Sequence, residues 1–342
     1  MRKNGEHMQE YIITIDTGTT NTRVILWDAN RSQLSTATSP TGVRNTAIDG
    51  NNNKLKIAVK TCIDTVMEEK NVSFDQVKRI IASGMITSNV GLVEIPHVTV
   101  PASADDLAAA TQSVLLEDIA PIPIWFIPGM KNSNGIIDLD NYEKMDIMRG
   151  EEVESTAIIE DCFEGEPMIL VLPGSHTKFI SIDSTGKITG CLTTISGELL
   201  ASITNDTIIA DAVGRQFVQE DTYNKELVLE GYRNGSKTGI GRACFSGRIL
   251  NQFAIKEKEK VANYILGVAL STDLMAVKES SAITVSKDHC VVVAGKNPLR
   301  RALIDILEYD GYFTKIKEYV PKDSVPLSAL GAYTIAKKSN IL

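Results

Sequence analysis

The sequence predicts an α/β protein of two domains, with duplicated mixed sheets flanked by helices, and three observations lead there. Its 342 residues, 43% of them hydrophobic, suffice for two buried cores. Apolar runs of strand length alternate with stretches of helical periodicity, the pattern of sheets flanked by helices. Each half also opens with the same device: an apolar strand, a Gly-[Ser/Thr] turn, a basic residue, and a second strand ending in Asp. The first copy runs through Asp16, Gly18, Thr19, Thr20, Asn21 and Arg23 to Asp28; the second runs through Gly174, Ser175, His176, Thr177 and Lys178 to Asp183. Arg23 and Asp28 lie five positions apart, as do Lys178 and Asp183, which marks an internal duplication.

The elements follow in order. After the opening hairpin, residues 32–39 extend the sheet, and residues 54–69 carry Leu55, Ile57, Ala58, Cys62, Ile63 and Val66 near helical spacing. A strand at 79–82 runs into Ser83, Gly84 and Met85. The stretch to Pro101 is loop-like, a helix is expected over 104–116, and a strand over 122–127 stops at Pro128-Gly129. Residues 131–135 form an exposed turn. A helix over 150–160 precedes the second hairpin, and interrupted helices over 213–232, then 242–253 and 256–279, lead to a strand at 290–294 and a helix over 298–307. The domain limits read as a polar tail 1–10, a first domain 11–149 and a second domain 150–342, whose last helix is free to pack back on the first.

Composition excludes several classes. The formal charge of −8 is spread without a basic cluster, which argues against a nucleic-acid groove. The first ten residues hold no apolar core of a signal peptide, and no run approaches eighteen apolar residues, so no membrane association is expected. Five cysteines and four histidines are scattered singly, without the spacing of a zinc or redox motif. A cytoplasmic protein with reduced thiols is the expectation, and a homo-oligomer is compatible with it.

The opening turn is built for phosphate and metal. Asp16 is a lone carboxylate at a strand end, Gly18 permits the reversal, and Thr19, Thr20 and Asn21 offer N–H and hydroxyl donors, a set suited to ATP with Mg²⁺ on Asp16. An Asx-capped hairpin is the plain alternative. The Asp-Thr-Gly of an aspartic protease needs a second such motif, and the chain has none. Two hairpins of this kind facing one another would clamp a nucleotide's phosphates. Gly295 and Lys296, where a strand turns into a helix, are candidates for adenine or ribose, or an ordinary βα connection.

The pattern D-x-G-[ST]-[ST]-N-x-R resembles the first phosphate loop of the actin-like ATPase and sugar-kinase superfamily. In sugar kinases resembling glycerol kinase, the catalytic carboxylate follows a Gly at a helix start before the second hairpin. Gly150-Glu151 occupies that place, making Glu151 the candidate base and Glu152 its substitute; otherwise both are first-turn acids complementing the helix dipole. The ordered set Gly84-Met85-Ile86-Thr87-Ser88-Asn89-Val90-Gly91, Met148-Arg149-Gly150-Glu151-Glu152, Leu172-Pro173-Gly174-Ser175-His176-Thr177-Lys178 and Ser196-Gly197-Glu198-Leu199 looks like the 2-dehydro-3-deoxygalactonokinase family, over most of the chain. Two departures are noted: Thr17 stands where that family usually has an aromatic, and Ser-His-Thr-Lys-Phe replaces its commoner Thr-His-Cys-Lys-Trp.

The resemblance implies a ribonuclease-H-like (actin-like ATPase) fold, with the nucleotide between domains. It also implies ATP-dependent phosphorylation of the 6-hydroxyl of 2-dehydro-3-deoxy-D-galactonate in galactonate catabolism. A sugar acid needs a cation and neutral donors, for which Arg149, Ser88 and Asn89 are the candidates; a salt bridge and a helix cap are their alternatives. A kinase for a related sugar or sugar acid, or a sensor of sugar acid or nucleotide without turnover, are the rival functions.

Overall fold

The computed structural model describes residues 10–322 and 324–338, so the polar tail at 1–10 lies, but for Glu10, outside the described residues. Two compact units emerge. The first comprises residues up to 131, residues 147–163 and residues from 321 on; the second comprises 132–146 and 164–320.

The first unit begins with an antiparallel meander, β1 (Tyr11–Thr17), β2 (Thr22–Trp27) and β3 (Gln33–Ser39). Helices α1 (Val43–Asp49) and α2 (Asn53–Glu68) lead to β4 (Val77–Gly84), which pairs parallel to β1. There follow β5 (Val98–Thr99), α3 (Ala104–Ala110), β6 (Gln112–Val114), β7 (Ile124–Phe126), β8 (Met130–Lys131), β9 (Ile147–Met148) and α4 (Glu151–Cys162). The main sheet has the order β3-β2-β1-β4-β7-β6, and β5-β8-β9 form a small second sheet. On α2, Leu55, Val59, Cys62, Ile63 and Val66 are buried against this sheet, whereas Ile57 is 65% exposed and falls on the solvent side.

The helix expected over 104–116 ends at Ala110. Thr111 turns out of it, its hydroxyl donating to the Leu107 carbonyl (2.9 Å), and residues 112–114 pair antiparallel with β7. Sheet pairing outweighs the weak helix preference of the Thr-Gln-Ser-Val stretch.

The second unit repeats the plan with β10 (Met168–Leu172), β11 (Thr177–Ile182) and β12 (Ile188–Thr194). It continues through α5 (Ser196–Asp206), α6 (Ala210–Val213), α7 (Lys225–Thr238), α8 (Ile240–Phe253), α9 (Lys258–Glu279), β13 (Cys290–Val293), α10 (Leu299–Asp310) and β14 (Lys315–Glu318). Its sheet order is β12-β11-β10-β13-β14. Strand for strand and direction for direction this matches β3-β2-β1-β4-β7, because β10–β13 and β13–β14 are parallel where β1–β4 and β4–β7 are. The helix α9 is buried on nearly all sides and forms the core of this unit.

The last helix, α11 (Leu327–Lys338), belongs to the first unit with α4, so the limit between residues 149 and 150 does not hold. The reason is packing: a Cβ on Gly331 of α11 would lie 1.8 Å from the Val153 carbonyl oxygen of α4, a contact only glycine permits. Residues 132–146, assigned by sequence to the first domain, instead line β12. Asn132 donates to the Cys191 (2.8 Å) and Ala282 (2.9 Å) carbonyls and accepts from the Cys191 N–H (2.8 Å).

Candidate active site

In the first unit, strand alternation delivers Asp16. Ile13 and Ile15 enter the core beneath α2, which leaves Thr14 and Asp16 on the opposite face. There Trp27 Nε1 donates to Thr14 Oγ1 (2.9 Å), and Ser328 Oγ of α11 donates to Asp16 Oδ2 (2.9 Å). Arg23 stands opposite Asp16 in the antiparallel ladder and Ser83 beside it in the parallel one; the buried Ser83 hydroxyl has no hydrogen-bond partner. Burial raises the Asp16 pKa; the Ser328 hydrogen bond and the Arg23 charge oppose the rise, and the Glu151 charge adds to it.

Gly150, at φ +118°, turns the chain into α4. Glu151 is half-buried, and its Oε2 accepts the Arg149 N–H at 3.0 Å. Glu152 is wholly buried, accepts the Gly150 N–H at 2.7 and 2.9 Å, and is pushed up to about 8 by burial and by the Glu151 charge. Sequence reasoning missed Glu154. It lies one turn after Glu151 on the same helix face, and it too is pushed up to about 8, by burial and then by the Asp16 and Glu151 charges, with Arg23 opposing. The i, i+3 spacing of Glu151 and Glu154 was the available signal. Asp16 and Glu154 thus both feel the Arg23 charge, two oxygen donors of the kind a hard divalent cation takes, although no group of three such ligands gathers among the described residues.

The loop after β4 holds Arg149 differently from the expected substrate clamp. Its Nη1 donates to the carbonyl (2.6 Å) and hydroxyl (2.5 Å) of Thr87, and its Nη2 donates to the Ile95 carbonyl (3.0 Å) and lies 3.1–3.2 Å from the His97 ring nitrogens. His97 is lowered to about 4, by burial first and then by the Arg149 charge, so the ring is neutral and can accept. The guanidinium therefore ties this loop to the start of α4. Ser88 is buried with its hydroxyl donated to the Met85 carbonyl (2.7 Å), the capping alternative, while Asn89 is exposed.

The first turn is closed by the Gly18 N–H donating to the Asn21 carbonyl (2.9 Å), with Thr19 and Thr20 exposed. It is clamped by the start of α1, where Val43 and Arg44 N–H groups donate to the Gly18 (3.2 Å) and Thr19 (2.9 Å) carbonyls. Gly42 permits this approach: a Cβ there would lie 2.5 Å from the Gly18 and Thr19 backbones.

In the second unit the turn between β10 and β11 is clamped the same way by α5. The Glu198 N–H donates to the Ser175 carbonyl (3.0 Å), and Gly197 packs directly on Gly174. His176 Nε2 lies 3.1 Å from Glu198 Oε1 on the surface. Thr177 is buried, with its hydroxyl 3.0 Å from Ser196 Oγ. Lys178, expected on the phosphates, is buried instead, its Nζ donating to Thr193 Oγ1 (2.5 Å) and lying 3.9 Å from Asp146. One residue of alternation explains it: Thr177 points toward α5, so Lys178 points to the other side of the sheet.

Beside this turn opens an apolar cleft of about 200 Å³, lined by Gly174, Gly197, Leu200, Phe217, Leu266 and Pro298 among others. Gly295 packs on the Pro173 ring and Lys296 is exposed; neither lines the cleft, whereas Pro298 and Leu299 just after them do.

Two like sheets, each with a hydroxyl-bearing turn clamped by the next helix, together with a carboxylate-bearing helix start, make up the ribonuclease-H-like, actin-like ATPase fold, and the family comparison makes the chain a phosphotransferase. The chain belongs to the 2-keto-3-deoxy-galactonokinase family, whose profile matches residues 16–319, and it is a sugar-acid kinase. It is 27% identical over 285 residues to the 2-dehydro-3-deoxygalactonokinase of Escherichia coli (strain K12), covering 83% of this chain and 85% of that protein. A crystal structure from Sinorhizobium meliloti, described as a candidate 2-dehydro-3-deoxygalactonokinase, superposes with a TM-score of 0.72 at 18% identity, over 95% of this chain and 98% of that one. The fold extends to component A of (R)-2-hydroxyglutaryl-CoA dehydratase from Acidaminococcus fermentans, with a TM-score of 0.50 at 12% identity, over 96% and 99% of the two chains.

Proposed function

We propose that the protein transfers the γ-phosphoryl group of ATP to the 6-hydroxyl of 2-dehydro-3-deoxy-D-galactonate, a step of galactonate catabolism. The observation that carries the assignment of roles is the contrast at the start of α4. Glu151 is half-exposed with one oxygen oriented by a backbone N–H, whereas Glu152 is sealed in the core. Glu151 accepts the hydroxyl proton as the substrate oxygen attacks the γ-phosphorus; the new O–P bond forms as the bond to the β-phosphate oxygen breaks, and ADP leaves. Glu152 holds Gly150 in place and takes no proton from substrate.

Asp16, with Glu154 beside it, would hold Mg²⁺, which supplies neutralisation of phosphate charge. Donors of the Gly18–Asn21 and Gly174–Thr177 turns bind phosphate oxygens, and the apolar cleft beside Gly174 takes the nucleoside. Asn89 contacts the sugar acid, and Arg149 acts by shaping the loop that carries it. Five free cysteines suit the reducing cytoplasm, where ATP and catabolic sugar acids are found.

A coupled ADP-release screen of the purified protein over six-carbon 2-keto-3-deoxy sugar acids and common hexoses tests this reading. Turnover is expected with the galacto-configured acid. Phosphorylation of a hexose but of no keto acid would overturn the substrate assignment.

A further inference from the structure

The reaction gives no task to a buried carboxylate of α9. Asp273 sits in α9, wholly buried, where an ionisable group is costly unless several donors satisfy it. It has them. Thr194 Oγ1 donates to Oδ1 (2.5 Å), Ser196 Oγ donates to Oδ2 (2.8 Å), and Thr177 is also hydrogen-bonded to it. These hydroxyls come from three places: the start of β11, the end of β12 and the first residue of α5. The corresponding hydroxyl in the first unit, Thr22, has neutral partners instead, donating to the Thr41 carbonyl (2.8 Å) and lying 3.2 Å from the Thr17 hydroxyl.

We infer that Asp273 is a positioning residue that locks the Gly174–Thr177 turn to the start of α5 and thereby sets both for the phosphates of the nucleotide. The inference rests on the reading of that turn as a phosphate site. A carboxylate only accepts, so each hydroxyl must donate to it, which fixes every rotor of the network in one direction. The same helix also reaches the nucleoside cleft: Ala262 and Leu266 line it, and Asp273 follows Leu266 by two helical turns on the same face. One rigid helix thus ties the nucleoside cleft to the phosphate turn.

The test is calorimetric titration of wild type, Asp273→Asn and Ser196→Ala with a non-hydrolysable ATP analogue and, separately, with adenosine. Asn keeps the shape but replaces an acceptor by a donor facing hydroxyls, and Ser196→Ala removes one arm while leaving the charge satisfied by the others. ATP-analogue affinity should fall about tenfold in both variants, the loss of one hydrogen bond to a charged group, with adenosine affinity within about twofold of wild type. Unchanged analogue affinity in a folded Ser196→Ala protein, or an equal loss for adenosine, overturns the positioning role. If wild type itself binds the analogue no more tightly than adenosine, the turn does not take phosphate, and the inference falls with that reading.

Discussion

A Cβ added to Gly197 would lie 2.1 Å from the carbonyl oxygen of Gly174, so the start of α5 and the second turn touch backbone to backbone. Gly197→Ala must push the two apart. Displacement of a phosphate cradle by even an ångström should raise the KM for ATP by about 10- to 100-fold. Steady-state kinetics at saturating sugar acid, with circular dichroism to confirm folding, checks it; an unchanged KM would mean the turn tolerates the shift.

Asp16→Asn should abolish Mg²⁺-dependent turnover and leave the fold intact, because the amide keeps the Ser328 contact and loses the charge. Glu154→Gln should weaken Mn²⁺ binding, read by electron paramagnetic resonance, by about tenfold if one carboxylate contact is lost. Full Mg²⁺-dependent activity in Asp16→Asn would remove that residue from the metal site.

Glu151→Gln removes the proposed proton acceptor and should lower kcat by about 10² to 10⁴ with nucleotide affinity little changed. Glu152→Gln should cost much less. A reversed ranking would make Glu152 the base, and loss in neither would direct the search to Glu154 and then Glu198.

The buried Glu152 also gives the fold a pH dependence. Its pKa rises from an ordinary 4.5 to about 8, so the native state keeps a proton that the unfolded chain has released. That contribution to stability is complete below about 4.5 and is lost as pH rises through about 8. Melting temperature should therefore fall over this interval, and Glu152→Gln should flatten the fall. A melting temperature that falls as steeply in the variant as in wild type would show that Glu152 is ionised in the folded protein.

Arg149→Met frees the Thr87 and Ile95 carbonyls and should destabilise the protein by roughly 1–3 kcal/mol, with a raised KM for the sugar acid following from the loosened loop. Arg149→Lys should recover little, since one ammonium cannot reproduce the fork. A higher KM at unchanged melting temperature would instead favour direct contact with substrate.

The duplication, the two turns and the Glu151 helix start were legible because each is local: strand, turn and cap chemistry lie within a few neighbouring residues. What escaped depends on contacts across the sequence. Nothing around Lys178 shows that Thr193 and Asp146 will take its ammonium, nor does the Arg149 segment announce that Thr87 and Ile95 occupy its guanidinium. Asp273 reads locally as one polar residue in an apolar helix; only the fold brings Thr177, Thr194 and Ser196 to it. The unit limits failed for the same reason, since α4 is claimed by a helix at the far end of the chain.

That helix, α11, sets an order on biosynthesis. Leaving the ribosome, the strand bearing Asp16 emerges at the start, yet Ser328, which caps its carboxylate, and Tyr333, which lies 5.6 Å from Trp27 ring to ring, emerge after the entire second unit. The half that is translated first is the half that is completed last. Until α11 arrives, Asp16 lacks its Ser328 donor and Trp27 its Tyr333 neighbour, and a nascent chain halted before residue 327 has neither.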